Sequence, residues 1–249
     1  MININNQYSF YNDPFPHMIF DNFLDENQAG KIVDEINEIS KIYSVNKVMG
    51  GRFQYQINHF NNKSFSSELY NLFNSEKYFK KLNNLLLSKT KKNDEFFYSD
   101  NFKKIVKKKN FYQKILKKTL PFLLKESFFL HMDFSLAQEE YVREPHHDRD
   151  TRIINFLLYL NTLEENNGGA FEIYKHKKNN ISNLSKTPNL DNLEIDKTIV
   201  PKSGKLIIFL STPNSIHGVE KFKPLKNQKR YFIYGGYTSF FDVNWKKNK

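Results

Sequence analysis

From Ser127 onward the apolar residues of this 249-residue chain stop recurring at helical spacing and fall into short runs separated by turn-forming residues. Runs that brief read as strands, and they predict strands over Phe128–Ala137, Ile153–Asn161, Ala170–Tyr174, Lys205–Ser211, Ile216–Val219 and Arg230–Phe240. Upstream the period is helical. Asp25 followed by Gln28 has the form of a capping box, and Ala29, Ile32, Val33, Ile36 and Ile39 then make one apolar stripe. A second helical section from about Ser67 to Leu87 breaks near Asn74-Ser75, with Ser75 offered as cap and Phe79, Leu82 and Leu86 as the stripe. A third, basic helix is expected from about Asp100 to Leu120, stopping before Pro121. Helices first and strands after them define an α+β chain of one domain, mainly helical over 1–127, with a sandwich or barrel over 128–243. Between Tyr174 and Thr198 lies a polar stretch rich in Asn, Lys and Ser, too long for a hairpin turn and expected to be a lid or an inserted loop.

Composition removes several classes of function. With no cysteine, disulfides, thiolate metal sites and cysteine nucleophiles are excluded, so any metal must use His, Asp or Glu. An apolar fraction of 39% suits a folded protein. No apolar run is long enough to span a membrane, and MININNQYSF lacks the basic end and apolar core of a signal peptide, so a cytoplasmic protein without membrane attachment is expected. The net charge of +11 has two explanations. One is a polyanionic partner such as nucleic acid, met by the cluster of Lys103, Lys104, Lys107, Lys108, Lys109, Lys114, Lys117 and Lys118. The other is codon composition: Lys, Asn, Phe, Ile and Tyr abound while Ala, Gly and Arg are scarce, which an AT-rich gene would produce unaided. The second is preferred, and the lysine cluster then reads as a solvated helix face with no nucleic acid bound. Oligomeric state leaves no trace in the sequence.

Chemistry concentrates in Pro145-His146-His147-Asp148 and, far downstream, His217. Residues two apart on a strand share a face, so His146 and Asp148 can meet one metal while His147 turns outward and is no ligand. Two neutral imidazoles and one carboxylate hold Fe(II) on one face and leave positions open for reaction. The tripeptide alone is weak: His131-Met132-Asp133 is a second copy of it, Glu144 to Asp150 could be no more than a polar turn, and His217 could be a hydrogen-bonded core histidine.

The segments downstream of Asp148 supply context. Their order is Tyr159-Leu160-Asn161, Gly168-Gly169, Pro201-Lys-Ser-Gly204, His217-Gly218-Val219 and Arg230-Tyr231, and over roughly residues 135–240 it resembles the iron(II)/2-oxoglutarate-dependent dioxygenase superfamily, in its prolyl-hydroxylase-like branch. Pro16 to Leu24 is similar to that family's entry strand. The resemblance implies a double-stranded β-helix (jelly-roll) core with N-terminal packing helices, and Fe(II) held by His146, Asp148 and His217. It further implies 2-oxoglutarate held through its far carboxylate by Arg230 and Tyr159, with Asn155 lining the cosubstrate pocket, O2 as the oxidant and ascorbate as an optional further cofactor. A planar guanidinium suits that carboxylate because it donates two parallel hydrogen bonds. Two positions depart from the family pattern: Phe232 stands where many relatives have Ser, and Tyr141 lies five residues before His146 in an uncertain register. Retention of Asp148 points to hydroxylation rather than halogenation, with release of succinate and CO2. The substrate stays open between a prolyl or other protein side chain, an amino acid and a small metabolite. Its rim is expected from about Lys175 to Lys197 and from Arg52 to Phe60. Two alternatives use the same residues: a cupin-type metal enzyme that does not take 2-oxoglutarate, and a jelly-roll binding module for an anionic or sugar partner.

Overall fold

The computed structural model describes residues 7–45, 47–48, 51–90, 97–98, 102–106, 115, 117–177, 188–225 and 228–246. Helix α1 spans Glu26–Ile42 and begins as its sequence requires. Asp25 accepts from the Gln28 N–H at 2.8 Å, the Gln28 side chain accepts from the Asp25 N–H at 3.2 Å, and Ala29, Ile32, Ile36 and Ile39 are buried. Helices α2 (Phe65–Phe73) and α3 (Glu76–Lys89) divide at Asn74-Ser75 as expected. The capping differs in detail. Ser64 caps α2 through the Ser67 N–H, whereas Ser75 occupies the cap position of α3 without a side-chain hydrogen bond. The basic helix expected from Asp100 is corrected at its start: Lys104–Ile105 form a short strand parallel to Ser127-Phe128. Among the described residues of that stretch, helical backbone occurs at Ile115 and residues 117–119, and Lys107, Lys108, Lys109 and Lys114 lie outside the described residues.

The strands among the described residues are, in chain order, β1 Tyr8–Tyr11, β2 His17–Phe20, β3 Arg52–Tyr55, β4 Phe97–Tyr98, β5 Lys104–Ile105, β6 Ser127–Ala137, β7 Arg143–His146, β8 Arg152–Tyr159, β9 Phe171–His176, β10 Leu193–Ile199, β11 Leu206–Leu210, β12 His217–Val219, β13 Arg230–Ser239 and β14 Trp245–Lys246. The major sheet runs β1-β2-β11-β8-β13-β6-β3, with β5 on β6, and the minor sheet runs β10-β9-β12-β7. The two sheets form the α+β, double-stranded β-helix core. One expectation fails here. Leu193–Ile199, expected as part of a polar loop, pairs antiparallel with β9, its Glu and Lys side chains forming the exposed edge of the minor sheet. Residues 178–187 of that stretch lie outside the described residues.

Strand alternation divides the buried residues into two cores. On the outer face of the major sheet Phe128, Phe156 and Tyr237 meet Phe73 and Phe79 from the helices, with Phe79 and Phe128 centroids 4.0 Å apart. The Tyr237 hydroxyl donates to the Phe73 carbonyl at 2.7 Å, and the Tyr231 hydroxyl lies 2.7 Å from Asn37 Oδ1 on α1, so the helices are tied to β13 by polar as well as apolar contacts. Each such buried ring contributes about 1.5–3 kcal/mol. Between the sheets a second core contains Leu157, Tyr159, Phe171, Ile207, Phe209, Phe222 and Phe232. This inner core closes one end of the sandwich and leaves the other open.

Candidate metal centre

His217 and His146 are direct register partners across β12 and β7, which places their rings 4.6 Å apart on one face. Asp148 follows β7 and returns toward them, its Oδ2 lying 3.6 Å from His217 Nε2. One ligand atom from each of the three falls within 4.8 Å of the others, the geometry of a cluster able to hold a metal ion. Each imidazole is held in a chosen tautomer. His146 Nδ1 lies 2.7 Å from the Glu144 carbonyl and His217 Nδ1 2.9 Å from the Ser215 carbonyl; a carbonyl only accepts, so Nδ1 carries the proton and Nε2 a lone pair that can bind a metal, the one on His146 standing 3.4 Å from the Arg143 Nη2 donor.

Electrostatics agree with that assignment. Burial, assisted by the neighbouring His146, holds His217 down to about 4, and burial also lowers His146, so both rings are neutral at pH 7. Burial opposes ionisation of Asp148, but His217, Arg152, His146 and the Tyr234 hydroxyl together outweigh it and keep the carboxyl below its usual range. Two partners fix that carboxylate. Asn155 donates its amide to Oδ2 at 2.7 Å, and the Tyr234 hydroxyl reaches both oxygens. Asn155 therefore stands beside the iron-ligand candidate Asp148 and is absent from the cavity wall, instead of lining the cosubstrate pocket. His147 turns off the metal cluster but is buried, not outward in solvent, with Nδ1 3.0 Å from the Asp148 carbonyl oxygen.

The triad opens into a cavity of about 740 Å³ that also contains Arg230, Tyr141, Phe232, Tyr234, His131, Arg52, Gln54 and Gln56. Arg230 has no exposed surface. Its Nε donates to the Gly169 carbonyl at 3.1 Å, while Nη1 and Nη2 are buried with no hydrogen-bond partner. A buried guanidinium with two unpartnered nitrogens costs free energy unless an anion meets it. Gly169 permits this approach: its φ is +76°, and a Cβ there would sit 3.2 Å from Arg230 Cδ. Aromatic faces surround the charge, with Phe232, Tyr141 and Tyr159 centroids 4.2, 5.2 and 5.3 Å from Cζ. Phe232, standing where many relatives have Ser, thus stacks on the guanidinium, and Tyr141, unplaced by sequence, also reaches it. Tyr159 is fully buried behind Arg230, off the cavity wall, with its hydroxyl 3.4 Å from the Ile199 carbonyl; burial pushes it up to about 12.

His131-Met132-Asp133, the second copy of the metal tripeptide, has a different use. His131 Nε2 lies 2.7 Å from the buried Asp133 carboxylate, which Gln54 also contacts, and neither residue joins the metal cluster. Of the two expected rim segments, Arg52 to Phe60 contributes Arg52, Gln54 and Gln56 to the cavity, and no described residue of 175–197 lines it.

Residues 125–237 match the family model described as the 2OG-Fe(II) oxygenase superfamily. That span takes in the triad residues and Arg230, and over it the chain is similar to that superfamily. That match implies Fe(II), 2-oxoglutarate and O2 as cofactors, and the partnerless Arg230 nitrogens together with the two Nε2 atoms and Asp148 are the groups that fit them. No curated protein sequence matches the chain. Among solved structures the chain is similar to the non-heme alpha-ketoglutarate-dependent epimerase SnoN from nogalamycin biosynthesis, at TM-score 0.50 and 10% identity over 90% of this chain and 77% of that one. A Pseudomonas putida prolyl-4-hydroxylase aligns at TM-score 0.49 and 14% identity over 90% and 93%. A Trichoplax adhaerens prolyl hydroxylase, solved with a hypoxia inducible factor peptide fragment, aligns at TM-score 0.48 and 15% identity over 90% and 83%. At such identities the likeness concerns the fold. Among the described residues no helix is long and apolar enough to cross a membrane.

Proposed function

We propose that this oxygenase hydroxylates a carbon of its substrate at an iron held by His146, Asp148 and His217. The observation that carries the assignment of cosubstrate is the partnerless Arg230 fork, buried at one end of the same cavity as the triad. Iron, 2-oxoglutarate and O2 supply the oxidising chemistry, with succinate and CO2 as products. The chain supplies placement. Arg230 offers Nη1 and Nη2 to the far carboxylate of 2-oxoglutarate, and its charge is held in position by the Gly169 carbonyl and the rings of Tyr141, Tyr159 and Phe232. Asn155 and Tyr234 keep Asp148 oriented beside the two histidines, all three of which line the cavity and would hold the iron there. The apolar walls, Leu157, Phe171 and Val219, limit water around the reacting carbon. A cytoplasmic setting belongs to this reading, since reduced iron and 2-oxoglutarate are both available there.

Succinate release from 2-oxoglutarate with Fe(II) and O2 tests the reading, comparing wild type with His146→Ala and Arg230→Ala. Wild type is expected to turn over and both variants to fall to background. A wild type no faster than His146→Ala, with candidate substrates present, removes the enzymatic claim. Iron-dependent turnover that survives Arg230→Ala favours the cupin-type alternative.

A further inference from the structure

The chain carries 33 lysines and only five arginines among its 38 basic residues, and all five arginines line one cavity. Arg52, Arg143, Arg149, Arg152 and Arg230 enter from three separate regions, one on β3, three from the β7–β8 region and one on β13, yet no described lysine joins them. A composition that favours lysine everywhere else does not generate this arrangement. Arginine differs from lysine in its rigid planar fork, which binds carboxylate or phosphate through two parallel hydrogen bonds. Arg230 accounts for one such group. The other four face a wall whose one lining carboxylate is Asp148.

Arg52 is the best placed of the four. Arg52 and Arg230 are both register partners of Ala137, on opposite sides of β6, so the sheet presents their side chains on the same inner face. The Arg52 guanidinium stacks 5.6 and 5.5 Å from the Phe232 and Tyr234 centroids, and the Tyr234 hydroxyl bonds the metal-ligand candidate Asp148. Its polar contacts are weak: Ser135 Oγ at 3.4 Å and Asp133 at 4.0 Å, the latter already engaged by His131 and Gln54. Arg152, in the same cavity, keeps a buried Nη1 with no partner. Fork donors left this open, beside a metal centre, are prepared for an anion other than 2-oxoglutarate.

We infer that the substrate carries an oxyanion, a carboxylate or a phosphate, which Arg52 grips in the cavity beside the metal with Arg152 as the second cation. This rests on the reading of the cavity as the oxygenase site and adds the class of molecule it accepts. Neutral peptide segments and unmodified sugars lack the group the arginines require. The electrostatic pull also concentrates anionic molecules at the cavity mouth, where Arg149 is exposed.

The test is anaerobic titration of wild type, Arg52→Gln and Arg52→Lys by calorimetry, both unloaded and loaded with Fe(II) and saturating 2-oxoglutarate so that Arg230 is occupied. Probes are inorganic phosphate and N-acetylglycine, with chloride and N-acetylglycinamide as controls at equal ionic strength. Wild type should bind at least one oxyanion saturably and its control not at all; Arg52→Gln should weaken that binding about tenfold or more, with Arg52→Lys recovering only part of it. The probe that saturates names the source, phosphoryl or carboxyl. Equal binding by wild type and Arg52→Gln, or no saturable oxyanion binding, overturns the inference. Loading, followed separately by visible absorption of the Fe(II) complex with 2-oxoglutarate, reports on the underlying site. Failure there counts against the oxygenase assignment, while the Arg52-dependent difference remains readable in unloaded protein.

Discussion

The Tyr234 hydroxyl lies 3.2 and 3.1 Å from the two carboxylate oxygens of Asp148, joining β13 to the loop after β7. Tyr234 is four residues beyond Arg230, so one strand delivers both the proposed carboxylate clamp and the group that orients Asp148, the proposed acidic metal ligand. Removing that hydroxyl leaves Asp148 with Asn155 and freer to rotate. Tyr234→Phe is therefore expected to lower Fe(II) affinity by about 10–100-fold while the protein stays folded. Fe(II) titration followed by calorimetry, with circular dichroism as the folding control, measures it; unchanged affinity would mean that Asn155 alone holds the carboxylate.

Arg230 should respond to replacement differently from a surface base. The cavity end is buried and three rings enclose the charge, so losing the fork costs about 2–5 kcal/mol of 2-oxoglutarate binding, at least about thirtyfold in affinity. Arg230→Lys retains a cation but cannot make two parallel bonds, and it is expected to fall between wild type and Arg230→Gln. Equilibrium binding of 2-oxoglutarate to anaerobic Fe(II)-loaded protein separates the three, and an Arg230→Lys affinity equal to wild type would show that charge alone suffices.

The proposed triad and clamp are legible in the sequence because each depends on local order in the chain: a His-x-Asp pair, a distant His, an Arg opening a strand. Tyr234 is available too, since alternation along the strand predicted from Arg230 puts it on the clamp's face, but a tyrosine on an apolar strand reads first as core. The illegible part depends on pairing. Arg52 and Gln54 lie 83 and 79 residues from Ser135 and Asp133, and nothing local says that β3 docks on β6. Leu193–Ile199 hides as a strand because only its end residues are buried and its register shifts between Ile195 and Lys197, so Glu194, Asp196 and Lys197 make it resemble a loop. His131 and Asp133 share a face just as His146 and Asp148 do, yet they are paired with each other and with Gln54 instead of a second histidine.

Gly236 packs closely on β8 beside Asn155, the amide partner of Asp148. It is the register partner of both His131 and Asn155, and a Cβ there would run into the Ile154 carbonyl and sit 2.9 Å from Asn155 Oδ1. Backbone atoms of a central strand cannot yield to it. Gly236→Ala is expected to destabilise the protein by about 1–3 kcal/mol and, by displacing Asn155, to weaken metal binding in whatever fraction folds. Urea denaturation and Fe(II) titration read the two effects independently, and full stability with full affinity would show that the strand relaxes.

His17 supplies a pH dependence away from the metal. It is wholly buried on β2, with Nδ1 2.9 Å from the Phe15 carbonyl and Nε2 without a partner. Burial lowers it from 6.5 to about 4, Lys197 adding to the fall while the Phe15 hydrogen bond and Asp196 oppose it. Because the folded value lies below the unfolded one, the unfolded chain binds the extra proton between these limits. Stability from this group is full above pH 6.5, declines as pH falls toward 4 and is constant below that. Between pH 7 and 5 it should cost wild type about 2 kcal/mol more than His17→Gln, which keeps a donor for the Phe15 carbonyl but does not titrate. Urea midpoints of metal-free protein at the two pH values give this difference directly, with contributions from His217 and the carboxylates common to both proteins. Equal losses in wild type and variant would place the His17 proton equilibrium where it stands in the unfolded chain.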